Sequence, residues 1–136
     1  ELDATGRRLL ALSDAGLMRE VTIADGQCSA PVKLELGAAV LLDANRRAVL
    51  TVRAGVEAWS ADTRAHFHTW PVPDVRRLFR LDTRWFAATD RSLVLLEGER
   101  PRVVWEGRSS PTALCAGPNG SLLLGTEDGV VAAAHR

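Results

Sequence analysis

The stretch GSLLLGTEDGVVAAAHR, residues 120–136, reads as a short apolar run, a polar turn closing on glycine, and a second apolar run that stops at the last residue. It is a β-hairpin with nothing after its second strand. Three earlier segments have the same form: LLALSDAGLMREVTIA (9–24), AVLTVRAGVEAWSAD (48–62) and WFAATDRSLVLLEG (85–98). Their turns are Asp14-Ala15-Gly16, Arg53-Ala54-Gly55, Asp90-Arg91-Ser92 and, in the last, Glu127-Asp128-Gly129. Three of the four close on a glycine, which reaches positive φ at little cost. Leu10, Val49, Phe86 and Leu122 follow one another at offsets of 39, 37 and 36 residues, a nearly constant repeat. Helix is a poor competitor, because apolar runs of about five to seven residues broken by Gly, Asn, Asp and Pro carry no useful 3.6 period.

The segments between the hairpins repeat as well. AAVLLDANRR (38–47), VRRLFRLDTR (75–84) and TALCAGPNG (112–120) precede the last three hairpins, and APVKLEL (30–36), AHFHTWPV (65–72) and RVVWEG (102–107) follow the first three. The repeat is therefore four short antiparallel strands in about 37 residues, the pattern of a β-propeller blade. LLLGTEDGVVAA resembles the second and third strands of quinoprotein-like and sensor-type propeller repeats, and VEAWSADTRAHFHTW is similar to their third strand, Asp-Thr turn and Trp-ending fourth strand. LDATGRRLL at the N-terminus resembles another copy of that hairpin. The likeness is to degenerate bacterial relatives of WD40 repeats, since the Gly-His and Trp-Asp signatures are missing. It implies an all-β fold of three and a half to four blades, at about 1–37, 38–73, 74–110 and 111–136. The competing architecture is a sandwich or barrel of similar short strands.

A blade has two apolar faces and is stable only between neighbours. Residues 1–8 can supply either a first strand or a stray fourth strand, and no fourth strand follows the last hairpin, so a four-bladed ring would be one strand short. Either the chain makes a slightly incomplete four-bladed ring or, the favoured expectation, it shares a larger propeller, with its partner being a protein or further blades from another chain or a missing segment.

Composition bounds the function. The 136 residues are 46% hydrophobic and 25% charged, enough for one domain with a core. The 17 basic and 17 acidic residues cancel, which argues against nucleic acid and anionic membranes as partners. No run has the length of a membrane span, and nothing resembles a signal peptide. A cytoplasmic location is expected, or a periplasmic one if an upstream signal has been removed. Arg supplies every basic residue except Lys33, and Tyr is absent, a bias typical of GC-rich bacterial coding. Cys28 and Cys115 match no paired metal or redox spacing and are expected as separate buried thiols.

No catalytic signature is present: there is no G-x-S-x-G, H-E-x-x-H, phosphate loop or dinucleotide fingerprint, and no cofactor is implied. His66 and His68 share one strand face, but two ligands are too few for a metal site and His135 lies at the chain end. Arg76, Arg77, Arg80 and Arg84 are interleaved with apolar residues, yet Asp74 and Asp82 dilute their field. Asp128 sits in an Asp-Gly turn, where turn chemistry comes first. Trp59, Trp70, Trp85 and Trp105 suit the wedge between blades. Trp70, beside Pro71 and Pro73, is the aromatic best placed for binding at a rim. The expected function is a non-catalytic protein-binding or scaffold module within a larger bacterial protein or complex, using rim residues Arg53, Trp70, Asp74, Arg91 and Asp128. A ligand-sensing propeller, or a fragment of a propeller enzyme such as a quinone-dependent dehydrogenase, is the alternative.

Overall fold

The computed structural model describes residues 1–135, His135 through its backbone. Its strands form four antiparallel sheets in which every strand pairs with its neighbour in sequence. The first sheet holds β1 (Arg8–Leu12), β2 (Leu17–Thr22) and β3 (Val32–Lys33). In the second are β4 (Val40–Asp43), β5 (Ala48–Val52), β6 (Val56–Ser60) and β7 (Ala65–Trp70). The third comprises β8 (Arg77–Leu81), β9 (Arg84–Ala88), β10 (Ser92–Leu96) and β11 (Arg102–Glu106). The fourth has β12 (Pro111–Ala116), β13 (Ser121–Thr126) and β14 (Val131–His135). The only helical element among the described residues is a 3-10 turn at Pro118–Gly120, and no helix is long and apolar enough to cross a membrane.

Burial follows the strand patterns. In β5, AVLTV, all five residues are buried, so both faces of that strand are covered. In β13, SLLLGT, burial alternates strictly, so one face is covered and the other is half-buried. The chain divides into two compact units, residues 1–53 with 57–69 and residues 54–56 with 70–136. Within the first unit Leu10, Met18 and Leu34 pack with Ala44, Val49 and Ala61, and Trp59 lies against this core. Within the second, Phe86, Ala88, Leu93 and Leu95 pack with Leu122, Leu124 and Ala134, and Trp105 lies against it. Each core is what two facing sheets need to hide their apolar sides.

Several local features differ from the sequence reading. Leu2 bridges Leu9 in antiparallel fashion, and Glu1 and Leu10 exchange backbone hydrogen bonds of 2.8 Å, which gives the N-terminal residues the first-strand position beside β1. The APVKLEL strand contracts to Val32–Lys33. Pro31 has no N–H to donate, and Ser29 takes over the pairing with its own side chain, accepting from Glu20 N–H at 2.9 Å. Gly16 and Gly129 adopt φ of 86° and 83°, as their turns require. Gly55 does not. A Cβ there would stand 2.4 Å from the carbonyl oxygen of Trp70, so the residue is glycine because another backbone passes against it. Cys28 and Cys115, expected buried, are both free and exposed. Cys115 pairs with Leu123 on the open face of the fourth sheet, and Cys28 bridges Val21 on the first, so neither thiol points into a core.

Candidate functional site

The crossing from β7 to β8 is pinned at both ends. Trp70 is buried, donates its indole N–H to Gly98 carbonyl oxygen at 3.0 Å, and stands edge-on to Trp85 with ring centroids 6.0 Å apart. The Val72 N–H then donates to Trp70 carbonyl oxygen at 2.9 Å, folding Val72 inward. At the far end Val75 is buried and the Arg76 N–H donates to Ala88 carbonyl oxygen at 2.8 Å. Between these anchors Pro71, Pro73 and Asp74 are exposed, Asp74 at φ 58°, a left-handed conformation that Asp and Asn tolerate better than most residues.

The β9–β10 turn lies at the same end of its sheet, because β8 and β9 run antiparallel and the start of one meets the end of the other. This is the one hairpin turn of the four without glycine, and Thr89 closes it instead. Its hydroxyl accepts from Ser92 N–H at 3.1 Å and bonds Ser92 Oγ at 2.6 Å, while its N–H donates to Ser92 carbonyl oxygen at 2.9 Å. That closure leaves Asp90 and Arg91 at the tip. Arg76 pairs with Asp90 through Nε and with Glu127 through Nη1, at 3.0 Å to Oε1. Arg91 is exposed, and among the described residues its guanidinium has no hydrogen-bond or ion-pair partner; the same holds for the Asp74 carboxylate.

These two loops wall a cleft of about 590 Å³. Val72, Val94 and Val103 with Pro71, Pro73 and Pro101 supply apolar lining, and Asp74, Thr89, Asp90, Arg91 and Ser92 supply polar groups. Apolar walls with a few convergent polar groups are what a binding pocket requires. Two of the five rim residues named from the sequence, Asp74 and Arg91, meet here. The other three lie elsewhere. Trp70 is inside the protein, 4% exposed, and acts as a packing residue behind the crossing. Arg53 pairs with Glu35 at 3.0 Å, both well exposed. Asp128 lines a smaller cavity of about 200 Å³ with Trp105, Ser109 and Thr126. Its carboxylate accepts from the Thr126 hydroxyl and from Val130 N–H at 3.4 Å, which holds it below the usual carboxylate pKa. Asp128 therefore serves its own turn. On β7, His66 bonds Thr69 Oγ1 at 2.7 Å and stands edge-on to Trp59.

Sequence reasoning saw Arg76 only as one of a basic cluster and missed that it bridges two turns 37 residues apart; it also missed Arg47, which joins Glu20 of β2 to Asp62 in the first unit. Arg47 donates to Glu20 from Nε at 2.7 Å and from Nη2, and pairs with Asp62 through Nη1. Its own hydrogen bond to Glu20 raises its pKa above the ordinary arginine value. Arg47 also has φ 52°, a left-handed residue in a turn whose sequence, Ala44-Asn45-Arg46-Arg47, announces only a turn.

No protein-family profile matches this sequence, and no curated protein matches it. Solved structures do. The designed Ika8 protein superposes with a TM-score of 0.71 at 16% identity, over 93% of this chain and 42% of its own. The C-terminal WD40 domain of Sif2 gives 0.72 at 8% identity, over 98% and 41%. Hydrazine synthase of Kuenenia stuttgartiensis gives 0.68 at 11% identity, over 97% and 44%. The fold is thus that of a β-propeller; this chain spans well under half the length of these three, whereas the designed Ika4 protein, matched with a TM-score of 0.62 at 15% identity over 93% of this chain, is covered over 84% of its own length.

Proposed function

We propose that this chain is a non-catalytic protein-binding β-propeller module, and that the cleft between residues 71–74 and 89–92 receives an extended peptide segment of its partner. The observation that carries the reading is the presence, in one apolar cleft, of a carboxylate and a guanidinium that have no hydrogen-bond or ion-pair partner among the described residues. Their complement is a peptide with an apolar residue in the cleft, an acidic residue toward Arg91 and a basic residue toward Asp74. The walls are set before binding by Trp70, Val72 and the Thr89 hydroxyl, so little ordering entropy opposes association. Cytoplasmic residence within a larger bacterial assembly accords with the balanced charge and the Arg-rich composition.

Selection of binders from a displayed peptide library, followed by fluorescence titration, tests this. Arg91→Glu is expected to weaken the selected peptides about tenfold or more, as loss of a charge-assisted bond does. Asp74→Asn keeps the left-handed backbone and removes only the charge, so it should weaken peptides with a basic residue and spare those without. Peptides indifferent to both changes would defeat the proposal. A ligand-sensing role is the second reading, favoured by a cleft volume within the range of small-molecule sites. A thermal-shift screen with small ligands separates the two, because a true ligand raises the midpoint by mass action.

A further inference from the structure

The smaller cavity beside Asp128 carries an inference independent of the cleft. It lies between the crossing from β11 to β12 and the β13–β14 turn, and backbone hydrogen bonds fix both walls. The Gly107 N–H donates to Arg91 carbonyl oxygen at 2.8 Å, the Glu127 N–H to Ser110 carbonyl oxygen at 3.0 Å, and the Thr126 N–H to Val130 carbonyl oxygen at 3.0 Å. The Trp105 indole forms one apolar wall. It lies over Gly107, where a Cβ would stand 2.2 Å from the ring, so any other residue there would displace the indole. Val130, 53% exposed, supplies a second apolar surface.

Three polar groups in this cavity lack a counterpart. Asp128 uses Oδ1 for its own turn, accepting from Thr126 and Val130. Neither its Oδ2 nor the solvent-shielded Ser109 Oγ makes a hydrogen bond of normal geometry among the described residues, and native structures rarely leave a buried hydroxyl unanswered. The exposed Arg108 guanidinium has no hydrogen-bond or ion-pair partner among the described residues either. Arg108 and Asp128 thus bring opposite charges to one cavity without pairing with each other.

We propose that this cavity binds a small free α-amino acid. Its volume of about 200 Å³ is roughly the share of six or seven water molecules in the liquid, and lies below the range of drug-sized ligands. Alanine and serine are of that size. The α-ammonium donates to Asp128 Oδ2 and Ser109 Oγ, the α-carboxylate accepts from the Arg108 guanidinium, and the short side chain lies against Trp105 and Val130. The ligand needs both charges because both signs line the cavity: a lone cation would meet Arg108, and a lone anion would meet Asp128. Walls fixed before binding keep the ordering cost low.

Calorimetric titration of the chain with glycine, L-alanine and L-serine tests the proposal, with binding at millimolar concentration expected. L-Alaninamide lacks the carboxylate and N-acetyl-L-alanine lacks the ammonium, so each should bind about tenfold or more weaker than L-alanine. These two compounds also separate a free amino acid from a peptide terminus, which carries only one of the charges. Arg108→Ala should weaken L-alanine about tenfold, and so should Asp128→Asn, which keeps an oxygen for Thr126 and Val130. Ser109→Ala should weaken it about threefold. Circular dichroism checks that each variant is folded, and the blocked compounds probe the same contacts on the unaltered chain. Arg91→Glu should change nothing, which separates this test from that of the cleft. Failure of every small amino acid to bind at millimolar concentration would overturn the proposal. So would blocked compounds that bind as well as L-alanine, or titrations indifferent to both Arg108→Ala and Asp128→Asn.

Discussion

The two compact units each hold a pair of sheets together, and they do it by different means. The first unit has a core of aliphatic side chains, Leu10, Met18, Leu34 and Val49, and adds a charged clamp in which Arg47 grips a Glu20 side chain only 13% exposed. In the second unit the core is larger and includes Phe86, while its clamp, Arg76 with Asp90 and Glu127, lies out in solvent. The same residue type in the same bridging role therefore has unequal weight. A bidentate bond to a largely buried carboxylate is difficult to replace with water, whereas exposed pairs are screened and contribute little. Where apolar area is smaller, the polar clamp has been drawn inward.

The contrast can be broken first at the cores. Phe86→Ala should destabilise the second unit by about 3–5 kcal/mol and Leu10→Ala the first by about 2–5 kcal/mol, read from urea unfolding followed by tryptophan fluorescence. Next come the clamps. Glu20→Ala leaves the Arg47 guanidinium only the exposed Asp62 as a partner and should cost about 2 kcal/mol, while Arg76→Ala should cost no more than about 1 kcal/mol. Equal losses in the two clamps would mean that burial does not set their weight. Salt sharpens the same point: the Arg76 effect should fade at high ionic strength and the Glu20 effect should persist.

The smallest effect is one of pH. The Thr126 hydroxyl above all, with the Val130 amide, holds the Asp128 carboxyl below its ordinary value near 3.8. Because the folded value is the lower one, this contribution is present above that pH and is lost as pH falls through the folded value. Asp128→Asn should therefore flatten the decline in stability below about pH 4, seen as a smaller shift in urea midpoint. An unchanged pH profile would remove Asp128 from the acid response. Arg47, its pKa raised, stays charged throughout and adds nothing to that response.

The strand order was legible because it rests on local chemistry. Turn residues every few dozen positions and apolar runs too short for helices locate all four hairpins, and β13 announces even its burial by alternation. What escaped depended on residues distant in sequence. Gly55 looks like a turn glycine and is in fact shaped by the Trp70 carbonyl, a contact no local pattern encodes. Trp70 reads as a rim binding residue beside its prolines because nothing nearby shows that Gly98 will take its N–H. Cys28 and Cys115 are apolar enough to suggest burial, yet register turns both outward. Asp74 and Arg91 were each visible as rim residues, but not as lining one cleft. The signal was strand parity: in an up-and-down sheet the loop before the first strand and the turn after the second share an end.

Every sheet here is drawn from one contiguous stretch, with each strand bonded to its sequence neighbour. Gene duplication or loss of a single stretch would then insert or delete a whole sheet without rewiring any surviving hydrogen bond. A lineage with this layout can change the size of its assemblies by whole-repeat steps, leaving the rim loops free to diverge independently.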